Sequence, residues 1–120
     1  MANVKRRLAT ILATDCVGFS KHMTENEELT LDNLKACRAI IDPLIKEFGG
    51  RIFYTAGDSV IADFSSPVEC VNAAIKFQKA ISDRNQTLGD SMKLVWRVGI
   101  HLDDVIIEGD NIYGNGVNIA

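Results

Sequence analysis

The stretch that decides the fold reads RIFYTAGDSVIADF and spans residues 51–64. Two short runs rich in β-forming residues, Arg51–Ala56 and Ser59–Phe64, are separated only by Gly57 and Asp58. A two-residue loop that begins with glycine is typical of a type II′ hairpin turn, because glycine adopts positive φ without strain. The sequence therefore predicts a β-hairpin with the carboxylate of Asp58 at its tip. Taken alone, Asp58 is best interpreted as an ordinary turn residue.

A second isolated aspartate changes that interpretation. Asp15 closes an apolar run that starts at Leu8, and Gly18 breaks the chain soon afterwards. Because the run is short, apolar and nearly free of charge, it predicts a buried strand over residues 8–14. Asp15 is therefore expected at the carboxyl end of the first strand.

The next segment has the pattern of a long helix. Residues 24–27 form a capping box with Thr24 as the expected N-cap. The helix is predicted to end at Gly49 and Gly50 in a left-handed cap, and to kink at Pro43. Its apolar stripe consists of Leu34, Cys37, Ile41, Leu44 and Phe48.

After the hairpin the sequence predicts another helix and further strands. Ser66 opens a second capping box with proline at the first helical position, and the helix is expected to end near Asn85. Its predicted apolar side carries Val68, Val71, Ile75 and Ile81. Strict alternation from Lys93 to Leu102 indicates a strand with its core face formed by Leu94, Trp96, Val98, Ile100 and Leu102. Asp103 and Asp104 are expected to turn the chain into a strand over residues 105–108, followed by another turn over 109–111.

The predicted order β-α-β-β-α-β is that of an α+β, ferredoxin-like domain. Right-handed crossovers place the first and third strands side by side and antiparallel in the sheet centre. Asp15 and Asp58 then share one edge of the sheet. Two neighbouring carboxylates repel each other unless a cation lies between them, and oxygen ligands suit Mg²⁺ or Mn²⁺. From the residues alone, a metal site for a polyphosphate and two unrelated turn acids remain equally favoured.

Composition limits the possible classes of protein. With 120 residues, 47% of them hydrophobic, the chain fits one globular domain over residues 1–120. A formal net charge of -3 argues against nonspecific nucleic-acid binding, and no apolar run is long enough for a membrane span. The three cysteines, Cys16, Cys37 and Cys70, are odd in number and far apart, which excludes a disulfide framework and a zinc site with close ligand pairs. The pattern predicts buried thiols and a cytoplasmic location.

Several segments resemble the catalytic domain of class III adenylate and guanylate cyclases, most closely its bacterial branch. They are RRLATILATDCVGFS, IDPLIKEFGGRI, TAGDSVIADF, WRVGIHLDDVIIEG and IYGNGVNIA. The resemblance implies the ferredoxin-like core and conversion of ATP to cyclic AMP and pyrophosphate. It implies that Asp15, Asp58 and the backbone carbonyl of Cys16 hold two Mg²⁺ or Mn²⁺ ions. It places the substrate near Val17, Gly18, Phe19, Ser20 and Gly57.

The same resemblance implies a head-to-tail homodimer, with Asn118 orienting the ribose in the partner's site. The family's next catalytic arginine lies four positions after this asparagine, beyond Ala120. The sequence therefore matches a cyclase domain without its C-terminal part, and we favour a fragment of a longer protein over a natural truncation.

The purine-reading positions depart from the family. Tyr54 stands where the family has an adenine-reading lysine, and Asn111 stands where it has the companion aspartate. Both can still make uncharged hydrogen bonds to adenine. ATP is favoured over GTP only by resemblance to the branch. An alternative is a weak or inactive cyclase-like domain that binds nucleotide, or only dimerises, and regulates an attached module. Polymerase-palm and diguanylate-cyclase domains are less favoured, because the hairpin lacks their Gly-Gly-acid-acid signature.

Overall fold

The computed structural model describes residues 5–108 and 111–114. The strands are β1 (Lys5–Cys16), β2 (Arg51–Ala56), β3 (Ser59–Phe64), β4 (Trp96–Glu108) and β5 (Asn111–Tyr113). The helices are α1 (Phe19–Glu25), α2 (Glu27–Glu47) and α3 (Pro67–Asn85), and a short 3-10 turn follows at Asp90–Met92. In this part of the chain, none of the helices combines the length and apolarity that crossing a bilayer requires.

The five strands form one antiparallel sheet in the order β2-β3-β1-β4-β5. The first and third strands are neighbours in the sheet centre, which confirms the predicted ferredoxin-like arrangement. β1 faces β4 along its whole length, from Lys5 opposite Ile107 to Cys16 opposite Trp96. This long ladder sets the register at the end of β1, where Asp15 lies.

One face of the sheet packs against the helices. The opposite face, called the open face below, carries Ala9 and Ile11 of β1. Alternate residues of β1, including Leu12 and Cys16, pack under the helices in the main core. Ala9 and Ile11 point the other way and join Val105 in a smaller buried cluster. The main core also contains Leu34, Cys37, Ile41, Ile45, Val60, Ala62, Phe64, Cys70, Ala73, Ala74, Phe77, Ile81, Leu94 and Trp96. By the same alternation Asp15 belongs to the open face.

Capping residues set both ends of α2, and the residue that caps its start differs from the one predicted. The predicted N-cap at Thr24 is wrong: Thr24 lies inside α1, and its hydroxyl donates to the carbonyl of Ser20 at 2.9 Å. The N-cap is Asn26, whose side chain accepts from the N–H of Leu29 at 3.0 Å. Asn26 is extended, with φ of -160°, and this break separates the two helices. Asparagine is as good a cap as threonine, so the local signal was ambiguous.

The C-terminal end of α2 is as predicted. α2 continues through Pro43 to Glu47. Gly49 has a φ of 84°, which is the left-handed conformation expected after a helix. The N–H of Gly50 donates to the carbonyl of Ile45 at 2.8 Å, and that of Gly49 donates to Lys46 at 3.0 Å. These two bonds form a Schellman motif and direct the chain into β2.

The predicted N-cap of α3 at Ser66 is confirmed, whereas the predicted apolar side of the helix is mostly wrong. Ser66 accepts from the N–H of Glu69 at 3.2 Å. Val68, Val71 and Ile75 are 66%, 43% and 62% exposed. The buried face consists of Cys70, Ala73, Ala74, Phe77 and Ile81. Of the predicted apolar side only Ile81 belongs to this buried face, and the tertiary packing of the helix, not its stripe of β-branched residues, selects the face.

The predicted turn at Asp103 and Asp104 is also wrong. β4 runs straight through both, and they lie opposite Ala9 and Leu8 of β1. Ladder pairing with the long β1 outweighs the turn propensity of two aspartates. A strand of 13 residues spans roughly 43 Å, whereas the 19 residues of α3 span roughly 29 Å.

The predicted core face of β4 is therefore only partly covered. Leu94 and Trp96 are buried, and Val98 is half-buried. Ile100 and Leu102 are 39% and 48% exposed, since the strand is longer than the helix beside it. The predicted turn over residues 109–111 falls partly outside the described residues; β5 begins at Asn111, opposite Glu108.

Candidate active site

The hairpin between β2 and β3 brings Asp58 to the end of β1. Ala56 lies opposite Ser59, so the loop is Gly57 and Asp58 as predicted. Gly57 has a φ of 58°, and among the described residues no residue other than glycine has positive φ, which excludes a type I′ turn and fits type II′. The Oδ2 atom of Asp58 accepts a hydrogen bond from the backbone N–H of Cys16 at 2.8 Å. The carboxylate therefore lies against the last residue of β1.

Asp15 precedes that residue and is held by an arginine. It lies directly opposite Arg97 in the β1–β4 register. The Nε of Arg97 donates to Oδ1 of Asp15 at 2.9 Å, and its Nη2 donates to Oδ2 at 3.1 Å. The hydrogen bonds and charge of Asp15 raise the pKa of Arg97, and the charge of Asp58 raises it further. Both carboxylates therefore act on one guanidinium.

The Cys16 thiol experiences the same two charges. Burial raises its pKa to about 12, and the charges of Asp58, Cys37 and Asp15 add to the effect. The thiol consequently stays protonated near neutral pH and is a poor nucleophile or metal ligand. Cys16, Cys37 and Cys70 are all buried and free, which confirms the prediction of buried thiols.

The donor chemistry of this edge fits a hard divalent cation. Asp58 and Asp15 are oxygen donors adjoining the same residue, and Arg97 is a positive group already bound to one of them. No group of three or more His, Cys, Asp or Glu side chains suited to a metal occurs within residues 5–108 and 111–114. The side chains thus supply two carboxylates, and Mg²⁺ commonly completes its shell with water and substrate phosphates.

Residues 17–20, near which the resemblance places the substrate, form the segment after β1. The N–H of Val17 donates to the carbonyl of Val95 at 2.7 Å and is therefore engaged. Gly18 is the N-cap of α1 with a φ of 67°, and no side chain caps this helix start. Phe19 packs against the main core and Ser20 is exposed.

The other predicted substrate residues lie further from the carboxylates in the sheet. Tyr54 is in β2 opposite Ile61, and it is 53% exposed. Asn111 is the first residue of β5. Asn118 lies outside the described residues. The structure therefore brings Asp15, Cys16, Asp58 and Gly57 together, and the roles of Tyr54, Asn111 and Asn118 remain predictions.

Arg97 is the residue of this site that the sequence did not indicate. Alternation placed it on the face of its strand away from the main core, where a solvated arginine is ordinary. Only the register of β4 against β1 aligns it with Asp15. The sequence feature that could have suggested its pairing with Asp15 is that alternation places both charges on the same face of the sheet.

Comparison with known proteins identifies the family. The chain matches no protein-family model. A crystal structure titled adenylate/guanylate cyclase/hydrolase, from Silicibacter pomeroyi, superposes with a TM-score of 0.90 at 35% identity, over 98% of this chain and 69% of that one. The chain belongs to the adenylate/guanylate cyclase family.

Two further matches agree with this membership. A curated relative from Rhizobium meliloti (strain 1021), named "Putative adenylate cyclase 3", is 38% identical over 119 residues. This match covers 98% of this chain but only 20% of the relative. The adenylyl cyclase CyaB from P. aeruginosa superposes with a TM-score of 0.82 at 24% identity, over 98% of this chain and 70% of that one, which supports the fold alone.

Proposed function

We propose that the protein is an adenylate cyclase that converts ATP to 3′,5′-cyclic AMP and pyrophosphate. The observation that supports this most directly is the meeting of Asp15 and Asp58 at Cys16, in a chain of the adenylate/guanylate cyclase family. The proposal includes two Mg²⁺ or Mn²⁺ ions, a head-to-tail homodimer in the cytoplasm, and a contribution of Asn118 to the partner's site.

In the proposed reaction the ribose 3′-hydroxyl attacks the α-phosphorus of the same nucleotide. The hydroxyl loses its proton, the O3′–Pα bond forms, and the bond from Pα to the bridging oxygen breaks to release pyrophosphate. The ions, when bound, would favour the deprotonated 3′-oxygen and neutralise charge on the leaving group. Asp15, Asp58 and the backbone carbonyl of Cys16 would hold them.

The protein's own groups orient these ligands before any substrate arrives. The N–H of Cys16 donates to one oxygen of Asp58, and the short two-residue turn keeps the backbone of Asp58 next to the start of β3. Thr14 donates to the carbonyl of Arg97 at 2.7 Å and so ties β4 to β1 beside Asp15. Such preorganisation places charge where the reaction develops it, which is a major source of enzymatic rate enhancement.

Substrate recognition is proposed to be weakly selective for adenine. The first-turn amides of Phe19 and Ser20 have no side-chain cap and can face phosphate. Tyr54 and Asn111 would replace charged purine contacts with neutral ones, which are weaker. Among the relatives, the one from Rhizobium meliloti is named for adenylate cyclase alone, whereas the Silicibacter pomeroyi title names both activities. This supports ATP over GTP.

The test is cyclic-nucleotide formation by the purified protein with Mn²⁺ and either ATP or GTP. We expect cyclic AMP to form faster than cyclic GMP and to be lost in Asp58→Ala. Asp90→Ala is the matched control, because its carboxylate is 99% exposed and bonded only locally to Lys93. The proposal would be contradicted if neither cyclic AMP nor cyclic GMP formed and Asp58→Ala gave the same result as the starting protein.

A second candidate is a cyclase-like domain that binds nucleotide without turning it over and regulates an attached module. The replacement of charged purine-reading residues by Tyr54 and Asn111 favours it. Binding of a nonhydrolysable ATP analogue without any cyclic product would support this candidate. Product formation that depends on Asp58 would exclude it.

A further inference from the structure

Arg97 is a charged group at the candidate site to which the proposed reaction assigns no role. Its side chain donates two hydrogen bonds to Asp15, one to each carboxylate oxygen. The geometry is a fork matched to a carboxylate, which gives the pair a defined orientation. Because the backbone of Arg97 is tied to Thr14 and lies in register with Asp15, the pairing is built into the sheet.

This pairing has an electrostatic consequence for the two carboxylates. Asp15 and Asp58 both adjoin Cys16 and repel each other, and Arg97, which binds both oxygens of Asp15, offsets that repulsion. A divalent cation bound by Asp15 would compete with Arg97 for the negative charge and lone pairs of the same two carboxylate oxygens. Arg97 cannot leave by losing its proton, since guanidinium stays charged in proteins. It can leave by rotation, because its side chain is 70% exposed.

We propose that Arg97 is an internal counter-cation of the site. It holds the Asp15 carboxylate in place when no metal is bound, and it competes with the metal for that carboxylate. Arg97 is thus a positioning residue that sets the metal concentration at which the site fills. This proposal rests on the metal site assigned above to Asp15 and Asp58.

The test is direct Mn²⁺ binding to metal-free protein, measured from the electron paramagnetic resonance signal of free Mn²⁺. We expect Arg97→Met to bind Mn²⁺ about two- to fivefold more tightly than the starting protein, as the loss of one exposed ion pair implies. Arg97→Lys keeps the positive charge but cannot donate to both carboxylate oxygens in the paired geometry of arginine. We expect its Mn²⁺ affinity to lie between those of Arg97→Met and the starting protein. Circular dichroism melts check that each variant is folded, and the Lys variant serves if the Met variant is not.

Arg6→Met is the matched control. Arg6 lies on β1 opposite Ile106 of β4, and its guanidinium is 3.9 Å from Asp104 with 67% of the side chain exposed. It is nine residues from Asp15, or roughly 30 Å along the strand. Removal of this charge makes the negative net charge more negative by the same amount as Arg97→Met does, so its Mn²⁺ affinity should equal that of the starting protein.

Three results would overturn the proposal. The first is unchanged or weaker Mn²⁺ binding in Arg97→Met, which would leave the proposed cyclase site standing. The second is equal tightening by Arg97→Met in an Asp15→Asn background, which would mean a general charge effect. The third is no Mn²⁺ binding by the starting protein, which would remove the metal site as well. Competition without any cyclic product would support the role of Arg97 and contradict only the cyclase activity.

Discussion

A methyl group added at Gly50 would lie 2.5 Å from Cζ of Phe64 and 2.7 Å from Cγ2 of Ile45. Gly50 is the residue where the chain leaves the end of α2 for β2, and Phe64 is buried in the main core beneath it. The close approach explains why glycine is required at this position, where its φ is not positive.

We expect Gly50→Ala to lower the free energy of unfolding by about 1–3 kcal/mol, because an extra methyl in a packed core forces its neighbours to shift. Urea denaturation measures this change. Gly89→Ala is the control: a Cβ there meets nothing within 4 Å, and φ is -67°. A Gly50→Ala variant as stable as Gly89→Ala would show that Phe64 and Ile45 relax without cost.

The start of α2 gives a second prediction. Asn26→Ala removes the acceptor for the N–H of Leu29, and we expect a loss of about 1 kcal/mol in the free energy of unfolding. Thr24→Ala should cost less than about 0.5 kcal/mol, since Thr24 lies within α1 and is exposed. The two variants are compared by urea denaturation. The reverse order would restore Thr24 as the cap.

Stability at alkaline pH should depend on Cys70. Burial raises the pKa of this thiol from 9.0 to about 11. Between these values the unfolded chain loses the proton and the folded protein keeps it, so the free energy of unfolding falls as pH rises. The stability contribution is complete below pH 9 and decreases through about pH 11.

Between pH 8 and pH 11, we expect the free energy of unfolding to fall by about 2 kcal/mol less in Cys70→Ala than in the starting protein. Urea denaturation at each pH measures this difference. Any constant offset from the smaller side chain cancels, because the comparison is of pH dependence within each protein. Parallel pH profiles for the two proteins would mean that the Cys70 thiol ionises in the folded state as easily as in the unfolded chain.

The hydrogen bond between Asp58 and Cys16 separates the structural role of Asp58 from its chemical one. Asp58→Asn keeps an oxygen acceptor for the N–H of Cys16 and removes the charge. We expect its stability to be within about 0.5 kcal/mol of the starting protein, whereas Asp58→Ala should lose about 1–2 kcal/mol because the amide is left unpaired. Both variants should bind Mn²⁺ far more weakly. Strong Mn²⁺ binding by Asp58→Asn would remove the carboxylate from the metal site.

Residues whose signal is local were predictable. The Gly57-Asp58 turn, the Ser66 cap and the left-handed Gly49 each depend on backbone chemistry within four residues, and each is as predicted. The order of elements, with right-handed crossovers, then sufficed to place Asp58 at the end of β1. The local signal was ambiguous at the start of α2. Asn26, two residues after Thr24, is an equally good N-cap, and it is the one that the structure uses.

Features that depend on distant partners could not be obtained from residue order. α3 buries Cys70, Ala73 and Phe77 and leaves Val68 and Val71 exposed, because the buried face depends on the elements that pack against the helix. β4 passes Asp103 without turning because β1 is long enough to pair with it. Arg97 and Asp15 are 82 positions apart in the chain, and the pairing of β4 with β1 brings their charges together. Neither segment by itself shows which residue of the other strand it will pair with.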